Sequence, residues 1–287
     1  MLRIKKIKLI ALGILAISSF LVWSAYFSLR PNDKLAVTFF DVGQGDSALI
    51  ETPNQDKIII DGGPDNSVLA KVGRYFSFYD RAVDVLIITH FDSDHLAGAV
   101  EIAKNYDIGL IIVNGKQCVS SLCGEFEKVI KQKNIKVAAA AKGQEIDFGQ
   151  GAKINILLPE NQTDDNAKKE GDNNSSVISL LSFGKDSFLF TGDAEDKEEM
   201  ELINIWPNLT ADVLKVGHHG SKNSTNQLFL EKINPKFSVI SVGAKNTYGH
   251  PHIETIEALK KIGSEIFRTD LGGDIVMETE GKGIMIK

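Results

Sequence analysis

Short β-branched runs punctuated by turn residues dominate this chain, and amphipathic stretches fall between them. Residues 35–40 (Leu-Ala-Val-Thr-Phe-Phe), 47–51 and 57–60 read as three strands, parted by Asp-Val-Gly-Gln-Gly-Asp and by Pro53-Asn54. Residues 83–88 form a continuous apolar run, the signature of a buried strand. They lead through a polar turn into a helix carrying Leu96, Val100 and Ala103 on one face. Further strands are predicted over 109–113, 135–140, 145–148 and 153–157, with a helix over 124–132 burying Phe126, Val129 and Ile130. Residues 159–175 are rich in Asn and Asp and predict a loop, a candidate lid. A hairpin follows (177–183 and 187–190, around Gly184-Lys185), then a strand over 237–242 and a loop over 243–252. A helix over 253–262 aligns Ile253, Ile256 and Leu259, and strands between 266 and 286 close the chain.

The pattern repeats. Val83-Asp-Val-Leu-Ile-Ile-Thr-His90 aligns with Ala211-Asp-Val-Leu-Lys-Val-Gly-His218, and upstream Ile58-Ile-Ile-Asp-Gly62 parallels Phe188-Leu-Phe-Thr-Gly192. Each half reads as strand, glycine turn, helix, then a strand ending in histidine. Two such halves predict an αββα sandwich, two sheets face to face with helices outside and polar residues gathered along one edge. The alignment makes His218 the counterpart of His90, and so a better ligand candidate than His219.

The N-terminus departs from this plan. Arg3, Lys5, Lys6 and Lys8 precede residues 9–27, nineteen positions without a formal charge. As a helix they would rise roughly 28 Å, close to the ~30 Å hydrocarbon core of a bilayer. We expect a single-pass cell-membrane anchor in residues 1–34, with its basic end cytoplasmic and the domain 35–287 outside. The alternative is a signal peptide cleaved after Ser24, although the apolar core of such peptides is usually about 7–15 residues. Residues 1–34 hold six basic side chains and one acid, leaving 26 basic and 37 acidic residues in the remainder. That balance repels polyanions in bulk, so nucleic-acid binding would need a local groove and bound cations. Cys118 and Cys123 are the only cysteines. A zinc ribbon needs a second pair, which leaves either a small disulfide loop or two free thiols.

Candidate chemistry concentrates in Thr-His-Phe-Asp-Ser-Asp-His (89–95), where His90, Asp92, Asp94 and His95 share one turn at a strand's C-terminal end. Imidazole and carboxylate are the donors that borderline and hard divalent metals take. All six histidines pair up, as 90/95, 218/219 and 250/252, which favours one shared centre.

Five segments carry a resemblance to the metallo-β-lactamase superfamily, and within it to the extracytoplasmic hydrolase domain of ComEC-type competence proteins. They are Asp-Val-Gly-Gln-Gly-Asp (41–46), the 89–95 turn, Thr-Gly-Asp (191–193), Leu-Lys-Val-Gly-His-His-Gly-Ser (214–221) and Tyr-Gly-His-Pro-His (248–252). The resemblance implies the metallo-β-lactamase fold and metal-assisted hydrolysis of a phosphodiester, DNA above all, with one or two Zn²⁺ or Mn²⁺ ions. Asp94 and His95 would hold one ion with His218, and His90 and Asp92 another, with Asp193 bridging. His219, His250, Lys222 and Ser221 would bind the substrate phosphate or protonate its leaving oxygen, and Asn173, Ser176 and Tyr248 would line the substrate path. Two departures stand out. Asp92 replaces the usual second histidine of His-x-His-x-Asp-His, and no histidine between Leu96 and Asp193 fills the third motif. Two other functions fit the same residues: an esterase of a cell-wall or phosphorylcholine-type phosphodiester, and a non-catalytic tethered module binding DNA or a partner through a degenerate site.

Overall fold

Val37, Phe39, Ile50, Ile58, Ile60 and Ile87 alternate inward along their strands and meet Ile154, Leu181, Phe188, Phe190, Val213 and Val239 from a second sheet. Phe39 and Phe190 face one another across this interface with ring centroids 5.8 Å apart. The computed structural model describes residues 2–28, 33–76, 80–159 and 176–287. The chain falls into two compact units, Met1–Asp33 and Lys34–Lys287.

In the larger unit the first sheet begins with β1 (Leu35–Phe39), β2 (Ala48–Glu51) and β3 (Lys57–Ile60). α2 (Ser67–Val72) leads to β4 (Ala82–Ile88), α3 (Ser93–Asn105) to β5 (Asp107–Val113) and α4 (Ser121–Lys133) to β6 (Lys136–Ala139). The second sheet holds β7 (Glu145–Asp147), β8 (Ala152–Leu158), β9 (Ile178–Phe183) and β10 (Asp186–Phe190). After α5 (Asp196–Ile205) it adds β11 (Val213–Lys215), after α6 (Gln227–Ile233) β12 (Phe237–Ile240), and after α7 (Ile253–Lys261) β13 (Glu265–Arg268). A short α8 (Thr269–Gly272) returns the chain to the first sheet as β14 (Ile275–Thr279) and β15 (Ile284–Ile286). The strand orders are β15-β14-β1-β2-β3-β4-β5-β6 and β13-β12-β11-β10-β9-β8-β7.

Both sheets are mixed, and each opens as an antiparallel meander before turning parallel. Val68, Leu96, Val100 and Phe126 seal α2 to α4 onto the outer face of the first sheet, and Leu202, Phe229, Leu230 and Leu259 seal α5 to α7 onto the second. The four layers are those the repeat predicted. Its alignment also appears in the pairing, because Ile58 sits opposite Val85 and Phe188 opposite Val213 in the two parallel pairs. Polar residues at the C-terminal ends of these strands therefore open onto one edge, as parallel strands arrange them.

Cys118 and Cys123 are joined in a disulfide, resolving the alternative left open by their spacing. α6 was not predicted. The expected lid falls on residues 160–175, outside the described residues. In the smaller unit α1 (Leu2–Ser28) covers the predicted apolar stretch, with Ile10, Leu12, Phe20 and Trp23 exposed. Among the described residues, however, no helix is long and apolar enough to cross a membrane. The predicted span is thus not established by this helix.

Candidate metal centre

The 89–95 turn is fixed by contacts reaching from distant sequence. Gly62 passes so close to α3 that a Cβ there would lie 1.9 Å from the Ala99 nitrogen, so only glycine fits. This approach lets the Gly62 N–H donate to the His95 carbonyl at 2.8 Å and the Gly98 N–H to the Gly63 carbonyl at 2.9 Å. Asp92 is the N-cap of α3, which starts the helix so that Asp94 and His95 occupy its first turn.

Four histidines then converge on Asp193, and their hydrogen bonds fix which ring nitrogen carries the proton. The Asp61 carboxylate accepts from the Thr89 N–H at 2.8 Å, from Thr89 Oγ1 at 2.7 Å and from His95 Nδ1 at 2.9 Å. Thr89 Oγ1 has spent its one proton on Asp61, so it accepts from His90 Nδ1 at 3.0 Å. His219 Nδ1 donates to the Ser241 carbonyl at 3.0 Å, with Asp46 Oδ1 at 3.2 Å, and His218 Nδ1 donates to Glu195 Oε1 at 3.0 Å. Every Nδ1 is a donor, which leaves every Nε2 to face the centre. His95 Nε2 lies 3.2 Å from Asp193 Oδ1, and His219 Nε2 lies 3.2 Å from Asp94 Oδ2 and 3.5 Å from Asp193 Oδ2. His90 Nε2 stands 3.7 Å from Asp92 Oδ2 and 3.9 Å from Asp193 Oδ2.

The fit of this set to a divalent cation rests on unmet bonding capacity. His90 Nε2, His95 Nε2 and Asp193 Oδ1 are buried without a hydrogen-bond partner among the described residues. Such orphaned atoms are costly unless something else satisfies them. Asp94, His95, Asp193 and His219 present donor atoms that all lie within 4.8 Å of one another, compatible with one ion. The N/O donor mixture suits Zn²⁺ and Mn²⁺. A cation also answers the electrostatics. Burial alone would raise Asp193, but His219 and His95 hold it well below the usual carboxylate range. Burial would lower His219, yet Asp193 and Asp46 push it up to about 10, and Asp193 and Asp61 likewise raise His95. Protons on these rings stand where a metal would stand, and a metal must displace them.

The order of the histidine doublet corrects the expectation drawn from the repeat. His219 is buried and joins the tight group, whereas His218 lies outside it. The repeat holds through β11 and then ends. His218 (φ 44°, ψ 48°) and His219 (φ 52°, ψ 25°) both adopt left-handed backbone in the 3₁₀ turn Gly217–Gly220, so strand alternation no longer says which side chain points inward.

A cleft of about 740 Å³ opens over the centre, lined among others by Asp92, Asp94, Asp193, His218, His219, Tyr248 and His250. Tyr248 is exposed and stacks on His250, ring centroids 5.8 Å apart. Burial, with the neighbouring His219 and His218, pushes His250 down to about 4, so at neutral pH it enters the cleft uncharged. Ser121 and Leu122 of the disulfide loop also line the cleft. The remaining candidates lie elsewhere. Ser176 is buried beneath the site, its Oγ accepting from the Asp193 N–H at 3.1 Å. Ser221 is buried and Lys222 exposed, and neither lines the cleft. Asn173 lies outside the described residues.

Sequence reasoning passed over Asp61, Asp46, Lys215 and Glu195 as site residues. Lys215 is buried and pairs with Asp46 Oδ2 at 2.6 Å, holding that carboxyl down to about 2 against the effect of burial. One available signal was positional: Asp61 ends β3 just as Thr89 and His90 end β4, and these strands are parallel neighbours.

The chain is also similar to known proteins in sequence and in fold. The chain is 33% identical over 259 residues to ComE operon protein 3 of Bacillus subtilis, covering 83% of this chain and 32% of that protein. It is 32% identical over 244 residues to Recombination protein 2 of Haemophilus influenzae, covering 83% and 28%. The chain thus spans about a third of the length of these relatives. In fold it resembles YhfI of Bacillus subtilis, a metallo-beta-lactamase fold protein, with a TM-score of 0.56 at 14% identity over 85% of this chain and all of that one. Residues 40–244 match the sequence profile of the Metallo-beta-lactamase superfamily, and to that superfamily this chain belongs.

Proposed function

We propose that the protein is a metal-dependent phosphodiesterase acting on DNA outside the cytoplasm, held at the membrane by its N-terminal helix. The observation that carries the reading is the convergence of His90, His95, His219 and Asp94 on Asp193 beneath an open cleft. A divalent ion held there supplies Lewis acidity toward a phosphoryl oxygen and makes water a competent nucleophile near neutral pH. The protein's own residues orient the donors through Asp61, Asp46 and Glu195, and present His250, uncharged at neutral pH, to the cleft as a hydrogen-bonding group for the substrate phosphate. Tyr248 and Phe91 give the cleft aromatic surface for a nucleobase. Relatedness to a protein named for recombination supports DNA as the substrate.

Full-length protein in detergent, assayed with Mn²⁺ or Zn²⁺, tests this reading against single- and double-stranded DNA, a chromogenic phosphodiester and a phosphorylcholine diester. DNA cleavage abolished by chelation and restored by metal is the expected result. Preference for the phosphorylcholine substrate would replace DNA with the esterase reading, and inertness toward all of them would favour a binding module.

A further inference from the structure

Three residues line the cleft without offering a metal ligand from the 89–95 turn or the histidine pairs. Ser120, Ser121 and Leu122 stand there together with Phe91, and the Cys118–Cys123 disulfide brackets them. Cys123 is buried in the first turn of α4, within the core cluster that holds Phe126 and Val129, whereas Val119, Ser120 and Ser121 are exposed. The bond therefore ties an exposed stretch of chain to a rigid part of the domain. Ser120 also caps α4, its Oγ accepting from the Cys123 N–H at 3.3 Å. Phe91 and Leu122 are half-buried and pack on the same cluster, so the apolar surface they give the cleft is backed by the core. A bond between residues five apart constrains the unfolded chain less than a long-range one does, which limits its effect on global stability. Its stronger effect is local, keeping order in a stretch that would otherwise open easily.

We propose that residues 118–122 are a disulfide-braced subsite for the nucleoside next to the scissile phosphate, with Leu122 and Phe91 taking the base and Ser121 the sugar. This inference rests on the reading of the protein as a phosphodiesterase and deepens it. None of residues 118–122 carries a charge, so the stretch suits the neutral part of a substrate whose phosphate goes to the metal centre. At about 740 Å³ the cleft lies in the range of pockets that bury a drug-sized ligand, far more space than a phosphate needs. An aromatic and an aliphatic side chain backed by the core offer a base an apolar face to lie against. The exposed Ser121 hydroxyl can both donate and accept, as a deoxyribose oxygen or hydroxyl requires. Cys118 and Cys123 are then positioning residues, acting through the loop they close.

Equilibrium titration separates this subsite from the metal centre, because a phosphodiesterase does not cut a nucleoside monophosphate. Full-length protein in detergent, supplied with Mn²⁺, is titrated with thymidine 5′-monophosphate, inorganic phosphate and phosphorylcholine. Wild type should bind the nucleotide most tightly of the three. Cys118→Ser/Cys123→Ser should raise the Kd of the nucleotide roughly 5–20-fold and hold that of phosphate within about twofold. Wild type treated with dithiothreitol and desalted should do the same, the dithiol leaving as its cyclic disulfide and the protein gaining two thiols. Leu122→Ala should weaken nucleotide binding by a similar factor with the disulfide intact, and Leu122→Met should restore it. With an oligonucleotide substrate the double serine variant should raise KM while kcat stays nearly constant. Nucleotide affinity unmoved by opening the disulfide and by Leu122→Ala overturns the proposal. Parallel loss of phosphate binding overturns it too, since the bond would then support the whole site, and phosphorylcholine bound more tightly than the nucleotide rules out a nucleoside. Wild type binding none of the three would defeat the underlying phosphodiesterase reading, a distinguishable result that takes the proposal with it.

Discussion

Asp61 Oδ2 accepts the Nδ1 proton of His95 at 2.9 Å, while the same carboxylate receives both the N–H and the hydroxyl of Thr89. One buried side chain at the end of β3 thus fixes the orientation of His95 and, through Thr89, of His90. Asp61→Asn keeps the shape but puts an amide where an acceptor is required. We expect metal affinity to fall roughly 10–100-fold, as for other supporting carboxylates. Competition against a chromogenic chelator measures it, and unchanged affinity would remove Asp61 from the site.

His219→Ala and Asp94→Asn each delete a donor of the tight group. Both should lose more metal affinity than Asp61→Asn does, and kcat should fall more than KM rises, because the lost interaction acts on the reacting centre. Metal analysis alongside steady-state kinetics checks this. A His219→Ala protein holding its full complement of metal would restore the histidine order suggested by the repeat.

Lys215 and Asp46 form a buried ion pair beneath His219. Replacing Lys215 with Met leaves the Asp46 charge buried with His219 and His95 to compensate it. Breaking such a pair typically costs about 3–5 kcal/mol. Urea unfolding of Lys215→Met should show a loss of that order, and a loss below about 1 kcal/mol would contradict the geometry.

Glu199 supplies a pH dependence away from the metal centre. It is fully buried in α5 and accepts from the Thr225 and Asn226 N–H groups at 2.7 Å each, yet burial prevails and raises it from 4.5 to about 8. Between those values the folded protein holds a proton that the unfolded chain has released. Its contribution to stability is therefore full below pH 4.5 and is lost as pH rises toward 8, at up to about 1.4 kcal/mol per unit. Glu199→Gln, unable to ionise, should lack this decline. Paired denaturant curves at pH 5 and pH 8 test it, and parallel changes in both proteins would show Glu199 ionised throughout.

If α1 anchors the chain, intact protein should stay in the membrane fraction after an alkaline wash. A soluble product beginning near Ala25 would instead indicate cleavage of a signal peptide.

What the sequence determined is what neighbours along the chain determine. Strand periodicity located both sheets, and the paired registers at Ile58–Val85 and Phe188–Val213 were already present in the repeat. His90, Asp92, Asp94 and His95 could be recognised together because six residues of chain force them into one turn. Tertiary structure decided the rest. Asp61 reaches His95 across 34 positions, and Asp46 reaches His219 from the other half, contacts that no local pattern encodes. The spacing of Cys118 and Cys123 permitted a bond but did not require one. His218 and His219 show the limit most plainly. Periodicity assigns a side chain to a face only while the backbone stays extended, and here two successive left-handed residues, held by the packing around them, choose the face instead.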